Sequence, residues 1–582
     1  MDKSKKVPYL HFEFTDSGGQ KKPLAFSSPI EIIETNQIED VIDKLQAVEK
    51  YVKEGKYAAG YVSYEAAPAF ESSLRVHPHP SMPLLWFGIF ESPSSVIENE
   101  ETGEFQISEW TAEFTEDDYR NGFERIQTEI EEGNTYQVNY TMRLKAHFEG
   151  NDYAFYKRLS RAQSANYSAY LNIGSHRILS ASPELFFRLQ EGHITARPMK
   201  GTIQRGKTPA EDREHAKWLF ESEKNRSENL MIVDLLRNDL GEIAKTGTVQ
   251  VPELFQIEKY PTVWQMTSQI TCELLPELGI SDIFKALFPC GSITGAPKIS
   301  TMNIISEVEN SPREVYCGAV GYITPKGEAI FNVPIRTVLI DNKTGGAQYG
   351  VGGGITWDST LKDEYHEAFV KARLLTENHQ SFQLLESLRL ENGLYELLEQ
   401  HITRILESAE YFNYEADEKG IRKILSDFAS RHNSGVLKVR LLLSRSGELF
   451  IEGAEIGGNP ESISVKLANR AINIENPFVY HKTTRREMYD AFRSQNSGVF
   501  DVLLWNAHGE LTEFTLGNLV LKVNGELLTP PISSGLLGGT FRAKLLAEGT
   551  IKQQVLTKGH LNSADEIWFI NSVRGWIKAE LC

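Results

Sequence analysis

The chain has 582 residues, with 61 lysines and arginines against 79 aspartates and glutamates, and so a formal net charge of −18. An acidic surface repels the phosphates of nucleic acids and anionic membranes, which sets aside nucleic-acid binding, and the length exceeds what one hydrophobic core covers, which predicts at least two domains. No apolar run approaches the roughly 20 residues of a membrane-spanning helix, no apolar stretch follows the lysine-rich start, and Cys272, Cys290, Cys317 and Cys582 form no CxxC pair, so the expectation is a cytoplasmic protein without membrane span, disulfides or structural zinc.

Along the chain, RILSASPELFFRL (177–189) and AVGYITPKGEAIFNVPIRTVLI (319–340) read as strands with turns. Residues 212–243 read as a helical region with a buried side. A long helical pattern ends at LLTENHQSFQL (374–384), where a strand pattern begins with LLESLRL. This seam sets the expected division: a first domain over 1–375, a short linker over 376–383 and a second domain over 384–582. Asn392-Gly393 between two apolar runs predicts a hairpin. In the following ELLEQHITRILESAEYF, Leu398, Ile402, Ile405, Ala409 and Phe412 fall on one helical stripe. The fold class expected is mixed: α/β and α+β, with a large layered first domain.

Four segments of the first part carry candidate chemistry. Glu184, in the apolar strand context ILSASPELFFRL, is a carboxyl whose pKa burial would raise toward general-acid range. Taken alone, a strand-end glutamate facing water is the plainer reading. Glu228 opens the apolar side of the helix EKNRSENLMIVDLLRNDLG, where a salt-bridged surface face is the plainer reading. In YGVGGGITWDSTLKDEYHEAFVKARLL, three glycines read as a loop that lets backbone approach a ligand before a helix begins. Glu364, Glu367 and Lys371 then line one face of that helix at i, i+3 and i+7, a set suited to magnesium plus a carboxylate, or to a surface ion pair. Lys200, between Met199 and Gly201 in TARPMKGT, has apolar neighbours that would depress its pKa.

These segments, in this order, resemble the chorismate-utilising enzymes: the component I chains of anthranilate and aminodeoxychorismate synthases, and the isochorismate and salicylate synthases. The resemblance is carried by AAGYVSYEAAPAF (58–70), GNTYQVNYT (133–141), SASPELFF (180–187), RPMKGT (197–202), MIVDLLRNDLG (231–241), FPCGSITGAPK (288–298), YCGAVGYI (316–323) and the glycine-rich segment with its helix. It implies magnesium ligands at Glu228 and Glu367 with Glu364 nearby, and a general acid at Glu184. It places Gln137, Thr294, Tyr316, Arg336, Gly354 and Lys371 against the substrate. Members that use water carry a lysine base where this chain has Gln137, which points to an amine-using member. Lys200 stands where anthranilate synthases have alanine, and there the resemblance implies a nucleophile on chorismate C2 and amination at C4. Trp264-Gln265-Met266 points the same way. No glutaminase signature is present, so a separate glutamine amidotransferase subunit, or free ammonia, is implied.

The second part holds HKTTRREMYDAF (481–492), GELTEFTLGNLVLKV (509–523), TPPISSGLLGGTFR (529–542) and IWFINSVRGW (567–576). A lysine, an acid leading into a strand and a glycine turn beside a basic residue are what pyridoxal phosphate requires. Separately, a surface lysine, a strand-end charge and a plain turn are the simpler readings. Together the strings resemble the fold-type IV pyridoxal-phosphate enzymes. That resemblance makes Lys482 the lysine that binds the cofactor and carries protons, and Glu513 the acid at the pyridine nitrogen. Arg404 and Thr540 become phosphate contacts, with backbone near Gly517-Asn518, and Arg440 a contact for the substrate carboxylate. Some lyases of the family place a threonine hydroxyl near LLESLRL, where Ser387 is the nearest candidate. The combined expectation is chorismate to 4-aminobenzoate. Its rivals are an anthranilate synthase component fused to an aminotransferase, and a synthase with an idle second domain.

Overall fold

A computed structural model describes residues 8–16, 18–95, 103–376 and 382–582. The chain forms two compact units, Met1–Gln204 with Ala216–His379, and Arg205–His215 with Gln380–Cys582. Most of the expected linker, residues 377–381, lies outside the described residues.

The first unit is four layers deep. One ten-stranded antiparallel sheet runs Gly295–Ala296, Gln137–Gly150, Gly346–Ile355, Thr337–Asp341, His176–Ser182, Tyr167–Asn172, Tyr9–Thr15, Lys21–Ser27, with two short strands appended. The other runs Met199–Gln204, Val263–Glu273, His193–Arg197, Leu185–Gln190, Ala329–Asn332, Ala319–Ile323, Tyr57–Val62, Leu85–Phe90, Glu31–Thr35, with Gln250–Lys259 beside Val263–Glu273. Alternation along the strands puts Phe12, Phe14, Phe26 and Leu171 of one sheet against Tyr61, Trp86, Val320 and Ile330 of the other, so the two sheets bury a shared aromatic core. Each outer face is covered by helices. Glu223–Gly241 lays Ile232, Val233, Leu236 and Leu240 on one of them, each side chain contributing about 1.5–3 kcal/mol on burial. Ser222 breaks the long helical region predicted over 212–243 by capping this helix, its hydroxyl accepting from the Asn225 amide.

Two expectations are corrected here. The run Gly352-Gly353-Gly354 is not a loop but part of the strand Gly346–Ile355, paired with Gln137–Gly150. Glycine is required there for space. A Cβ at Gly352 would stand 2.1 Å from the Tyr140 carbonyl oxygen, and one at Gly354 would stand 1.9 Å from Gln137 Nε2. Glu184 is not within a strand either. It sits in the two-residue connection by which the chain crosses from His176–Ser182 in one sheet to Leu185–Gln190 in the other. Pro183 precedes it, so no amide there is left without a partner.

In the second unit, Leu384–Glu391, Val436–Leu443 and Leu449–Glu455 form an antiparallel sheet backed by the helices Leu398–Phe412 and Glu418–Ser430. The hairpin at Asn392-Gly393 forms as predicted, both residues having positive φ, 49° and 80°. An eight-stranded sheet follows, in which the pairing Glu513↔Asn518 joins Leu511–Phe514 to Asn518–Val523 and closes six strands into a ring. Val465, Leu503, Phe514, Leu519 and Phe569 fill it.

Candidate active sites

The first cleft, of about 310 Å³, opens where the chain passes between the two sheets of the first unit. Lys200 lies on the edge strand Met199–Gln204, whose register slips between Met199 and Thr202. The slip uses Gly201 at φ +94°, a conformation that side chains resist. Asn229 Nδ2 donates to the Lys200 carbonyl at 3.2 Å and Gln265 Nε2 to the Gly201 carbonyl at 3.1 Å, which fixes the bulge and the lysine's direction. Burial lowers the Lys200 pKa, and the Lys371 charge adds to this, while the Glu228 carboxylate opposes it.

Glu184 is 2% exposed. Burial pushes its carboxyl up to about 7, against a hydrogen bond of 2.6 Å from Ser292 Oγ and the nearby Lys200 charge. Ser292, in GSITGAPK, is a site residue that sequence reasoning passed over. Its segment was recognised, but nothing in a lone serine reveals a carboxyl partner 108 residues away.

The helix Leu361–Ala372 presents Glu364, Glu367 and Lys371 to the cleft, with Lys371 Nζ 2.7 Å from Glu367 and 2.8 Å from the Gly352 carbonyl. Glu228 lines the same cleft. Burial, then the neighbouring Glu367 charge, raises Glu364 to about 7. Burial also raises Glu228, again with a contribution from Glu367. Burial acts to raise Glu367 too, and the Lys371 ammonium reverses it. Among the described residues no three acidic, histidine or cysteine side chains converge at metal-ligating distance.

Tyr316 and Arg336 line the cleft. Arg336 adopts φ +54°, strained for an arginine, and its Nη1 donates to the Lys371 carbonyl at 2.8 Å. Both polar atoms of the Gln137 amide are buried and without a hydrogen-bond partner. A point 1.9 Å from Gln137 Nε2 and 3.0 Å from Lys200 Nζ lies just above Gly354, so amide and ammonium face one space. A buried amide with two unmet hydrogen bonds is costly unless a ligand supplies them. Thr294 does not line the cleft. Its hydroxyl turns back to the carbonyls of Cys290 and Gly291, at 3.3 and 3.4 Å, where it joins the Ile293 and Thr294 amides that the turn Gly291–Ile293 already directs at them.

The second cleft, of about 500 Å³, lies in the second unit. Lys482 lines it, with its carbonyl anchored by the Leu385 amide at 3.0 Å. Burial brings the Lys482 amine down to about 7, and the Arg404, Arg486 and Lys438 charges add to this against Glu386. Glu513, at the ring closure, is 4% exposed and accepts from Tyr489 Oη at 2.9 Å and Asn518 Nδ2 at 3.3 Å. Burial raises it to about 8. The side chain of Asn518 therefore serves Glu513 and the Leu537 carbonyl, at 2.9 Å.

At one end Arg404 and Thr540 stand together. Thr540 opens the helix Thr540–Ala547, whose first amides are free, and Gly539 precedes it where a Cβ would meet Asn518 Oδ1 at 1.9 Å. Arg404 is held by Glu386, Nε to Oε1 and Nη2 to Oε2, both 2.7 Å, and its Nη1 donates to the Gly538 carbonyl at 3.1 Å. His401 Nδ1 lies 2.6 Å from Glu386 Oε2 and its Nε2 lies 3.3 Å from Thr540 Oγ1. Glu386 and His401 were missed in the sequence. Both lie in segments where other residues, Ser387 and Arg404, drew the functional reading, and what joins them is tertiary. Arg440 lines the cleft while its Nη1 pairs with Glu452 at 2.6 Å, and Ser387 lines it too.

Residues 11–377 match the family model described as chorismate binding enzyme, and residues 383–582 that described as amino-transferase class IV. Aminodeoxychorismate synthase component 1 of Salmonella typhimurium is 44% identical over 265 residues, which cover 45% of this chain and 58% of that protein. Anthranilate synthase component 1 of Aquifex aeolicus is 37% identical over 266 residues, covering 46% of this chain and 53% of that protein. The match thus spans a little over half the length of these curated relatives. The crystal structure of anthranilate synthase component I from Streptococcus pneumoniae shares the fold, with a TM-score of 0.50 at 24% identity, over 65% of this chain and 94% of that chain.

Proposed function

The chain belongs to the chorismate binding enzyme family through residues 11–377 and carries an amino-transferase class IV domain over 383–582, and from this we propose that it converts chorismate to 4-aminobenzoate in two steps. The observation that carries the first step is Lys200, aimed by the Gly201 bulge into a cleft shared with Glu184, Glu228, Glu364, Glu367 and Lys371. In the proposed reaction Lys200 Nζ bonds to C2 of chorismate, both ring double bonds shift, to C1=C6 and C4=C5, and the C4–O bond breaks. Glu184, protonated near neutrality, gives its proton to the departing hydroxyl, which leaves as water. Ammonia then adds at C4 and loses a proton, both double bonds return, and the C2–N bond breaks with its electron pair going back to Lys200. The product is 4-amino-4-deoxychorismate. The unmet amide of Gln137 orients a small polar reactant beside Lys200. Arg336 and Lys371 receive substrate carboxylates.

Oxygen donors suit magnesium, and the Glu367 charge that raises both Glu228 and Glu364 is of the kind a divalent cation relieves, so these residues, which do not by themselves converge at metal-ligating distance, would hold it together with a substrate carboxylate. When bound it neutralises substrate carboxylate and carboxylate side chains alike. Ammonia comes from a separate glutamine amidotransferase subunit, or from free ammonium.

In the second unit the donor set fits pyridoxal phosphate: a cationic and hydroxylic cup at Arg404, Thr540 and the free helix amides, an acid at Glu513, and a lysine at Lys482. The cofactor, when bound, withdraws electrons from the carbon bearing the substrate's amine. Lys482 Nζ removes the proton from that carbon and carries it. Glu513, held by Tyr489 and Asn518, keeps a proton shared with the pyridine nitrogen. Loss of the enolpyruvyl group as pyruvate leaves 4-aminobenzoate.

The test is to incubate the purified chain with chorismate, magnesium, ammonium salt and pyridoxal phosphate and identify the products. Para-aminobenzoate with equimolar pyruvate is expected, and ortho-aminobenzoate would overturn the first step. Accumulation of aminodeoxychorismate without pyruvate would overturn the second. Lys200→Ala should abolish 4-amination, and unchanged 4-amination would remove Lys200 from the chemistry.

A further inference from the structure

The second cleft has a cationic end that the cofactor does not need. Lys438 and Arg440 project from the strand Val436–Leu443, Arg485 and Arg486 precede the helix Glu487–Ser494, and Arg574 lies in the turn before Gly575–Leu581. All five line the cleft, opposed there by Glu455 and, deep inside, Glu513. Arg440 has a carboxylate partner, Glu452. Arg486 donates to the neutral Thr515 carbonyl at 2.5 Å and stacks on Tyr489, 4.6 Å from its centroid. Arg574 donates to the Asn459 side-chain oxygen at 3.2 Å, again a neutral group. Among the described residues, Lys438, Arg486 and Arg574 make no ion pair.

Three cations with no carboxylate at ion-pair distance among the described residues, although the Arg486 charge acts on Glu513, are an unusual local excess in a chain of net charge −18. Burial lowers the pKa of Lys438, and the charges of Arg440, Arg574, Arg486 and Arg493 lower it further. Such an arrangement is held against its own repulsion and is relieved by an anion. The cofactor phosphate has its own cup around Arg404 and Thr540, so this anion belongs to the substrate.

We infer that Lys438, Arg486 and Arg574 form a second anion subsite in this cleft, which selects substrates bearing two carboxylates over monocarboxylate amino acids. The inference rests on the proposed reading of the second unit, and it names the residues that would make that unit accept the first unit's product, which carries one carboxylate on the ring and one on the enolpyruvyl group. Arg440, already paired, contributes to the first carboxylate; the three unpaired cations take the other. Arginine suits this task because its fork meets a carboxylate with two parallel donors, while Lys438 supplies a point charge.

Two stable probes separate the subsite from the chemistry. Binding of isophthalate and of benzoate to the full chain loaded with pyridoxal phosphate is measured by calorimetry, at low and at high salt. Isophthalate is expected to bind at least about tenfold more tightly, with the difference shrinking at high salt. In Lys438→Gln/Arg574→Gln the preference is expected to vanish while benzoate affinity and the cofactor's absorbance persist. Equal affinity of the parent for both probes would overturn the subsite, as would a double variant that keeps the preference. The comparison within the parent decides the question even where a variant fails to fold. Pyruvate release from aminodeoxychorismate is assayed in parallel. The preference without pyruvate release keeps the subsite and refutes the lyase reaction, and pyruvate release without the preference does the reverse.

Discussion

Glu184→Gln tests the electrostatics of the first cleft while leaving its shape intact. Burial is the main reason the carboxyl stands at about 7 rather than 4.5. In the unfolded chain it ionises freely, so between those two values the native protein binds more protons than the unfolded one. Stability therefore falls as pH rises through that window. At about 1.36 kcal/mol per pH unit, the gap between about 7 and 4.5 costs about 3.4 kcal/mol at pH 8.5 and under about 1 kcal/mol at pH 5. Glutamine has the same size and still accepts from Ser292, but it carries no charge. The variant should match the parent near pH 5 and exceed it by about 2–3 kcal/mol at pH 8.5. Urea unfolding at both pH values, followed by tryptophan fluorescence, reads this difference. The same substitution removes the proposed proton donor, so 4-amination should fall by about 10²–10⁴-fold. A stability difference that is the same at both pH values would mean that the buried carboxyl is already ionised at pH 5, and the general-acid reading would fail with it.

Gly354→Ala should abolish 4-amination and also lower stability by about 1–3 kcal/mol, because the added Cβ meets the buried Gln137 Nε2 at 1.9 Å and Lys200 Nζ at 3.0 Å, so the amide must shift beside the lysine. Wild-type turnover in that variant would show that the space above Gly354 is not used. Glu386→Gln should weaken pyridoxal phosphate binding by about 10–100-fold, since the loss of one charged partner loosens Arg404 and leaves His401 and Thr540 unaligned. Titration of cofactor absorbance measures it, and an unchanged dissociation constant would reduce the Glu386 network to plain structural support.

How far the fold and sites were legible depended on whether the signal was local. The Asn392-Gly393 hairpin and the helix Leu398–Phe412 are dictated by neighbours in sequence, and both formed where the pattern placed them. The glycines at 352–354 misled because glycine means loop on composition alone. Only the opposing strand Gln137–Gly150 and the helix Leu361–Ala372 show that they are glycines for want of room. Lys200 and Lys482 were singled out by motif, but what aims or tunes them was not. Gly201's positive φ requires the partner strand Val263–Glu273, and the charges around Lys482 come from Arg404, Arg486 and Lys438, 78, 4 and 44 residues away in sequence. Ser292 and Glu386 were invisible for the same reason: each is a common residue type whose partner lies on a different element.

The second cleft holds an acid and a base displaced in opposite senses, and their pH dependences can be worked out together. Glu513 stands at about 8 in the folded protein against 4.5, so its presence reduces stability progressively as pH rises from 4.5 to 8. Lys482 stands at about 7 against 10.5, so between those values the unfolded chain binds the extra proton, and its cost to stability is recovered as pH rises through that range. The two penalties overlap most between pH 7 and 8, where the empty cleft is least stable relative to a variant lacking both groups. A ligand that brings a proton-bearing ring nitrogen to Glu513 and ties up the Lys482 amine removes both penalties at once. The rise in melting temperature on saturating the protein with pyridoxal phosphate should therefore peak near pH 7–8 and diminish on either side. Lys482→Ala should flatten the fall on the alkaline side, and Glu513→Gln the rise on the acid side. Differential scanning fluorimetry across pH 5–10 with fixed saturation of cofactor measures all three profiles. A stabilisation independent of pH, or a peak that survives in both variants, would show that burial of Lys482 and Glu513 does not govern how this cleft receives its cofactor.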